Sequence, residues 1–182
     1  LILKNNISEV YFFAGQTKPV ISNQNFIETL YSNIIPVYYI LDIILKYKKN
    51  IRFFNSSSCE IFSSTNNNLK EDSKKDPQTI YGLSKLVSLE MVKFFREKYK
   101  LKSCSGIMFH HESVLREKSF VLKKIINSAK QISIKGNKKV KLGNINVSRD
   151  WGWAPEYVKL IYKINNQKKI EDLILATGVS TK

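Results

Sequence analysis

The stretch Asp76-Pro77-Gln78-Thr79-Ile80-Tyr81-Gly82-Leu83-Ser84-Lys85 contains a tyrosine and a lysine four residues apart, at the start of a predicted helix. Residues four apart on a helix lie on one face. A neighbouring ammonium stabilises a phenolate and lowers the pKa of a phenol, so Tyr81 could act as a general base near neutral pH, with Lys85 tuning it. A Tyr-x-x-x-Lys pair is expected about once by chance in so lysine-rich a chain, so the surrounding sequence must decide.

The predicted helix runs from about Pro77 to Lys98, with Leu83, Val87, Met91 and Phe94 or Phe95 as its apolar stripe. Strand-like and helix-like segments alternate around it, which is typical of an α/β protein with a parallel sheet. Pro36 predicts a kink or a break in the first long helix. Strands are predicted at residues 9–14, 50–54, 102–109, 140–143 and 172–178, and helices at 26–47, 77–98, 120–135 and from Pro155 to about Tyr162.

Polar residues follow the first two predicted strands, at the sheet edge where ligands bind in open α/β proteins. Gly15, Gln16 and Thr17 follow the first strand. Three serines at 56–58 and Glu60 follow the second, one connection before Tyr81. The alternative for the serines is an ordinary turn or helix cap.

Composition and charge limit which binding partners and which cellular compartment we expect for the protein. The formal net charge is +15, but 26 lysines against 4 arginines are spread through the chain, whereas phosphate and groove recognition favours arginine. We therefore expect no nucleic-acid partner. No segment is long and apolar enough for a membrane span or a signal peptide, so we expect a cytoplasmic protein without a membrane partner. Two cysteines and two adjacent histidines give neither a disulfide framework nor a metal site.

Several short segments together resemble the extended short-chain dehydrogenase/reductase superfamily and, within it, the GDP-mannose 4,6-dehydratase family. The segments are Ser57-Ser-Cys-Glu60, Tyr81-Gly-Leu-Ser-Lys85, Gly106-Ile-Met-Phe-His-His-Glu-Ser113, Leu142-Gly-Asn144, Arg149-Asp-Trp-Gly152 and Ala176-Thr-Gly178. The resemblance implies a partial doubly wound, Rossmann-like parallel sheet with helices on both faces. It places the central and C-terminal part of an NADP-binding domain at 1–109. The start of a smaller nucleotide-sugar-binding region, with interleaved Rossmann elements, is expected at 110–182.

The resemblance also implies an enzyme that converts GDP-mannose to its 4-keto-6-deoxy form with bound NADP. Tyr81 would take the proton of the sugar 4-hydroxyl, and Lys85 would bond the nicotinamide ribose and hold Tyr81 as phenolate. Glu60 would remove the C5 proton before water leaves from C6. Ser58 would hydrogen-bond the 4-oxygen. The full-length protein is expected to be a homo-oligomer.

Further residues match cofactor and substrate contacts of the family. His110 stands where the family has an asparagine that orients the substrate. The cofactor contacts implied by the resemblance are Phe13, Ala14, Gly15, Gln16, Thr17, Lys85, His111 and Arg116. The substrate contacts implied are His110, Lys124, Asn144 and Arg149. No metal is implied.

One element of the family has no counterpart in these residues. The family opens with a glycine-rich turn that holds the cofactor pyrophosphate at a helix N-terminus. The seven glycines here cannot form a G-x-G-x-x-G anywhere. We therefore expect the chain to be the central piece of a longer dehydratase. The alternatives are a catalytically inactive remnant and a related nucleotide-sugar epimerase or reductase.

Overall fold

A computed structural model describes residues 6–17, 22, 24–47, 50–63, 68–136 and 139–182. The elements in chain order are β1 (Glu9–Phe12), α1 (Phe26–Lys46), β2 (Arg52–Ser58), a 3-10 helix (Cys59–Ile61), α2 (Ile80–Tyr99), β3 (Ser103–Met108), β4 (His110–Glu112), α3 (Val121–Lys135), β5 (Arg149–Trp153), α4 (Ala154–Asn166), β6 (Leu173–Leu175) and β7 (Ser180–Thr181). They form two compact units: Leu1–Phe109 with Lys159–Leu175, and His110–Val158 with Ala176–Lys182.

The first unit contains a parallel sheet in the order β1-β2-β3-β6. Every pairing is parallel, so each connection must cross over the sheet, and α1 and α2 supply crossovers. Val37 and Leu41 of α1 pack with Phe53 of β2 and Val92 of α2 in one buried cluster. The predicted α/β class with a Rossmann-like parallel sheet is confirmed.

Helix α2 differs from its prediction in both boundary and orientation. It begins at Ile80, because the Thr79 side chain caps it by accepting the Gly82 N–H at 2.9 Å. The predicted apolar stripe was only partly correct: Leu83, Val87 and Phe94 are 39%, 37% and 54% exposed, whereas Met91 and Phe95 pack in the apolar cluster. The buried face consists of Gly82, Ser84, Lys85, Ser88, Leu89, Val92 and Phe95. Its first half is polar because it packs against the polar end of β2.

Strand β2 continues to Ser58, four residues beyond its predicted end at Phe54. Asn55, Ser56 and Ser57 pair with β3 residues and are buried, so they are strand residues and not a turn. Asparagine has low strand propensity, but Asn55 pairs with both β1 and β3, the serines continue the pairing with β3, and burial of these small side chains overrides that preference here.

Other predicted boundaries were also wrong. Helix α4 extends to Asn166 instead of Tyr162. The predicted bounds of α1, 26–47, agree with Phe26–Lys46, and the helix continues past Pro36 without a break. Residues 140–143 form no strand, whereas β4, β5 and β7 were not predicted. β1 is shorter than predicted, and so is β6, the last strand expected at 172–178. Among the described helices, none is long and apolar enough to cross a membrane.

The second unit contains a small sheet in which β4 pairs with β5 in parallel and β7 pairs with β5 in antiparallel fashion. Asp150 of β5 anchors the turn before β7: its carboxylate accepts the Thr177 N–H at 3.0 Å and the Gly178 N–H at 2.7 Å. Gly152 lies against the Tyr157 ring, where a Cβ would be 2.2 Å from a ring carbon. These contacts hold the strand that carries Arg149.

Candidate active site

The structure places the Lys85 ammonium 5.8 Å from the centre of the Tyr81 ring, with both residues in the first half of α2. Lys85 is only 3% exposed. Its Nζ donates to the Ser56 carbonyl at 2.9 Å and contacts Ser56 Oγ at 3.4 Å. Burial lowers the pKa of Lys85 to about 8. The ammonium is therefore held by neutral oxygens of β2, one helical turn from the phenol that it would tune.

Ser58 and Glu60 lie at the end of β2 and in the 3-10 helix that follows. Ser58 Oγ accepts the Glu60 N–H at 3.2 Å, which fixes the direction of the turn. A Cβ on Gly82 would lie 2.2 Å from the Glu60 carbonyl oxygen. Only a glycine at position 82 therefore lets the main chain of Glu60 approach the helix residue next to Tyr81 so closely.

Residues 13–17 form a loop at the carboxyl end of β1. The φ angle of Gly15 is +121°, which favours glycine, and a Cβ there would lie 2.0 Å from Asn33 Oδ1. The Gln16 N–H donates to Ser32 Oγ at 3.2 Å. The outer side chains of the loop, Phe13, Ala14 and Thr17, are exposed. The loop is thus fixed to α1 from behind while its outer surface stays accessible.

Asn33 joins this loop to the tyrosine helix, and sequence reasoning missed it. It is 1% exposed, and its Nδ2 donates to the Gln16 carbonyl at 3.1 Å and to Ser84 Oγ at 3.0 Å. Ser84 Oγ in turn donates to the Tyr81 carbonyl at 2.7 Å. An asparagine among the residues of this helix was the available signal, since a buried amide is normally hydrogen-bonded.

The second unit holds the other predicted residues. On β4, adjacent side chains alternate between faces: the His110 ring packs on Trp151 at 5.1 Å, and the His111 ring packs on Tyr157 at 5.0 Å. Arg116 donates through Nε to Glu112 at 2.8 Å and also bonds the His111 carbonyl. Its guanidinium lies 4.5 Å from the centre of the Phe120 ring.

The three remaining predicted substrate residues have local hydrogen bonds. The Lys124 ammonium bonds the Lys141 carbonyl, and Asn144 Oδ1 accepts the Asn146 N–H at 2.9 Å. Arg149 donates to the Ser148 carbonyl at 3.0 Å. The assignment of these three residues to the substrate stays a prediction. Within the described part of the chain, no group of three or more His, Cys, Asp and Glu residues could hold a metal ion.

His110 is expected to make the protein less stable in acid. Burial, assisted by the nearby Arg149 charge, lowers its pKa from 6.5 to about 4. Between those values the unfolded state binds a proton that the folded state does not. The free energy of unfolding should therefore fall by up to about 3 kcal/mol as pH drops from 6.5 to 4. Urea unfolding of wild type and His110→Asn across that range measures the difference. Equal losses in both proteins would show that His110 protonates normally.

Two solved structures have the same fold as this chain. The chain superposes on RMD from Pseudomonas aeruginosa complexed with NADPH with a TM-score of 0.87 at 17% identity, covering 96% of this chain and 60% of that one. It superposes on dTDP-glucose 4,6-dehydratase from Bacillus anthracis in complex with NAD with a TM-score of 0.84 at 16% identity, covering 99% and 54%. The chain therefore has the α/β fold of these two proteins.

Sequence comparison narrows the class to one family. The family model for GDP-mannose 4,6 dehydratase matches residues 1–182, and the chain belongs to that family. It is 30% identical over 174 residues to GDP-mannose 4,6 dehydratase 2 of Caenorhabditis elegans, covering 94% of this chain and 46% of the relative. It is 32% identical over 177 residues to GDP-mannose 4,6-dehydratase of Sinorhizobium fredii, covering 95% and 50%. The chain thus spans about half the length of these relatives.

Proposed function

We propose that the protein containing this chain is a GDP-mannose 4,6-dehydratase that works with NADP. The observation that carries the proposal is the arrangement in the first unit: a buried lysine beside Tyr81, and Glu60 packed through its main chain against Gly82. Family membership and the names of the relatives support the substrate. The choice of NADP over NAD rests on the family resemblance.

Tyr81 and Lys85 account for the first proton transfer. The Lys85 ammonium stabilises a phenolate at Tyr81, and that phenolate removes the proton of the sugar 4-hydroxyl. The Ser58 hydroxyl holds the 4-oxygen as it becomes a ketone. Bound NADP supplies the hydride acceptor for C4 and the hydride donor for C6.

Glu60 accounts for the elimination. A ketone at C4 acidifies the hydrogen at C5, and a carboxylate is a suitable base for it. Glu60 removes that proton and passes it to the departing C6 hydroxyl, which leaves as water. When C6 is reduced, C5 takes up a proton from solvent, which balances the proton that Tyr81 removed from the 4-hydroxyl. The net reaction is the loss of one water molecule with internal oxidation at C4 and reduction at C6.

The loop at residues 13–17 fits a bound nicotinamide nucleotide. Its outer surface is accessible, whereas Asn33 and Ser32 fix it from behind. A ligand on that surface would meet a preformed loop next to the helix of Tyr81 and Lys85, which favours orientation of the reacting groups. The assignments of His111 and Arg116 to the cofactor, and of His110, Lys124, Asn144 and Arg149 to the substrate, are part of the proposal.

Replacing Glu60 by glutamine tests the elimination step. We expect turnover to fall by a factor of about 100 to 10,000, because the amide cannot take a proton from C5. In D2O, wild type should place deuterium at C5 of the product, which mass spectrometry detects. Glu90→Gln, an exposed glutamate of α2, is the control and should keep both turnover and deuterium incorporation. If Glu60→Gln kept full activity, a 4-epimerase or 4-reductase would be the better assignment.

Helix α1 supports the proposal that the protein is a homo-oligomer. Its inner face is buried, and its outer face is also apolar, with Ile27 70% and Tyr31 64% exposed. Exposed apolar side chains clustered on one surface mark a contact with another protein. A second copy pairing its own α1 and α2 against this face would cover it.

The oligomer can be tested by changing the outer face of α1. Ile27→Asp with Tyr31→Asp should convert a dimer to a monomer in sedimentation velocity, because two charges would be buried at the contact. Exposed Glu28→Gln on the same helix is the control and should leave the mass unchanged. A wild-type protein that sediments as a monomer at all accessible concentrations would contradict the proposal.

A further inference from the structure

The face of α2 that covers β2 and β3 is polar around Lys85 and apolar farther along. Asn55, Ser57, Ser88 and Ser105 are all fully or almost fully buried there. Two turns farther along, Val92 and Phe95 of the same helix face lie in the apolar cluster. The polar part is therefore confined to the segment that carries Lys85.

These side chains form a continuous hydrogen-bonded path to the main chain of Lys85. Asn55 Nδ2 donates to Ser105 Oγ at 3.2 Å and to Ser88 Oγ at 3.4 Å. Ser88 Oγ donates to the Lys85 carbonyl at 3.0 Å, and Ser57 Oγ contacts the same carbonyl at 3.4 Å. The path ties the second turn of α2 to two strands of the sheet.

Burying these polar side chains makes the folded protein less stable than an apolar core would. The buried Asn55 Oδ1 has no hydrogen-bond partner within the described part of the chain, and an unsatisfied buried acceptor is unfavourable. Locally unfavourable choices of this kind are concentrated at functional sites. The small serine side chains also let α2 lie close to β2, which brings Lys85 Nζ within 2.9 Å of the Ser56 carbonyl.

We propose that Asn55 and Ser88 are positioning residues for Lys85, holding its main chain so that its ammonium stays buried against β2 beside Tyr81. The path ends at the main-chain carbonyl of Lys85, so it would act on the site through Lys85. This inference rests on the role of Lys85 in the proposed dehydratase, but the placement of Lys85 can be measured without the reaction.

Asn55→Ala and Ser88→Ala interrupt the path at two points, and Ser88→Thr keeps the hydroxyl. Ser103→Ala is the matched control, because Ser103 is equally buried and donates to a carbonyl of the same helix, that of Val92, at 3.3 Å. Competitive labelling with acetic anhydride across pH 6–11, read by mass spectrometry of the Lys85 peptide, gives the apparent pKa of Lys85 in each folded protein.

We expect both interrupting variants to raise the apparent pKa of Lys85 by about one unit, because water reaches the ammonium, and to lower kcat about tenfold with KM unchanged. Ser88→Thr and Ser103→Ala should match wild type in the pKa of Lys85. If Asn55→Ala does not fold, the pKa of Lys85 in Ser88→Ala decides the test by itself. A Lys85 pKa unchanged in Ser88→Ala, or shifted equally by Ser103→Ala, overturns the inference. A shifted pKa in a protein whose wild type does not dehydrate GDP-mannose would support the positioning role and reject the proposed function.

Discussion

Replacing Lys85 by methionine is expected to lower the turnover of GDP-mannose by a factor of about 1,000, because Tyr81 would lose the cation that favours its phenolate and the cofactor would lose a ribose contact. Methionine has a similar length and leaves no cavity at this buried position. Steady-state kinetics on the protein that contains this chain measures the effect. Lys93→Met, which changes an exposed lysine two turns farther along α2, is the control.

The same substitution should change how stability depends on pH. The pKa of buried Lys85 is about 8, against an ordinary value of 10.5. Below pH 8 Lys85 is charged in both the folded and the unfolded protein, so the folded protein bears the full cost of burying that charge. Between pH 8 and 10.5 the unfolded state holds a proton that the folded state has released. The free energy of unfolding of wild type should therefore rise by up to about 3 kcal/mol relative to Lys85→Met over that range. Parallel curves for the two proteins would show that Lys85 is not desolvated.

Removing the Asp172 carboxylate is expected to cause the largest loss of stability. Asp172 forms a two-pronged ion pair with Arg96, with N–O distances of 2.9 and 2.5 Å, and accepts the Ser105 N–H at 2.7 Å. Both side chains are largely buried. Asp172→Ala leaves the Arg96 guanidinium without its partner, which costs about 3–5 kcal/mol for a buried pair.

Urea unfolding of three variants isolates this ion pair. Asp172→Ala with Arg96→Met should be more stable than Asp172→Ala alone, because no charge is then left buried. Asp42→Ala breaks the pair with exposed Lys46 and should change the unfolding midpoint little. The explanation fails if adding Arg96→Met makes Asp172→Ala less stable instead of more stable.

The segments predicted best from sequence were those whose pattern depends on local contacts. The long helices and the central strands were found because apolar periodicity reports burial directly. The orientation of the first half of α2 was wrong because the prediction followed apolar residues, whereas Ser84, Lys85 and Ser88 are the residues that face the sheet there. Polar residues that bond to one another in the interior carry no periodic apolar signal.

The candidate site was only partly accessible to sequence reasoning. Tyr81, Lys85 and Glu60 were found through spacing and family resemblance. Asn33 was missed because its partners, Gln16 and Ser84, lie 17 and 51 residues away in sequence. The same limit applies to Asn55, whose bonds to Ser88 and Ser105 exist only once three elements are packed together.

Incubation with GDP-mannose and NADP, followed by mass spectrometry of the nucleotide sugar, tests the dehydratase activity most directly. The protein that contains this chain should convert GDP-mannose to a product lighter by one water molecule, with solvent deuterium at C5 when the reaction is run in D2O. Tyr81→Phe, folded to the same extent, should form almost none of this product. Recovery of unchanged GDP-mannose, or of an isomer of equal mass, from a folded wild-type protein that binds NADP would contradict the proposed function.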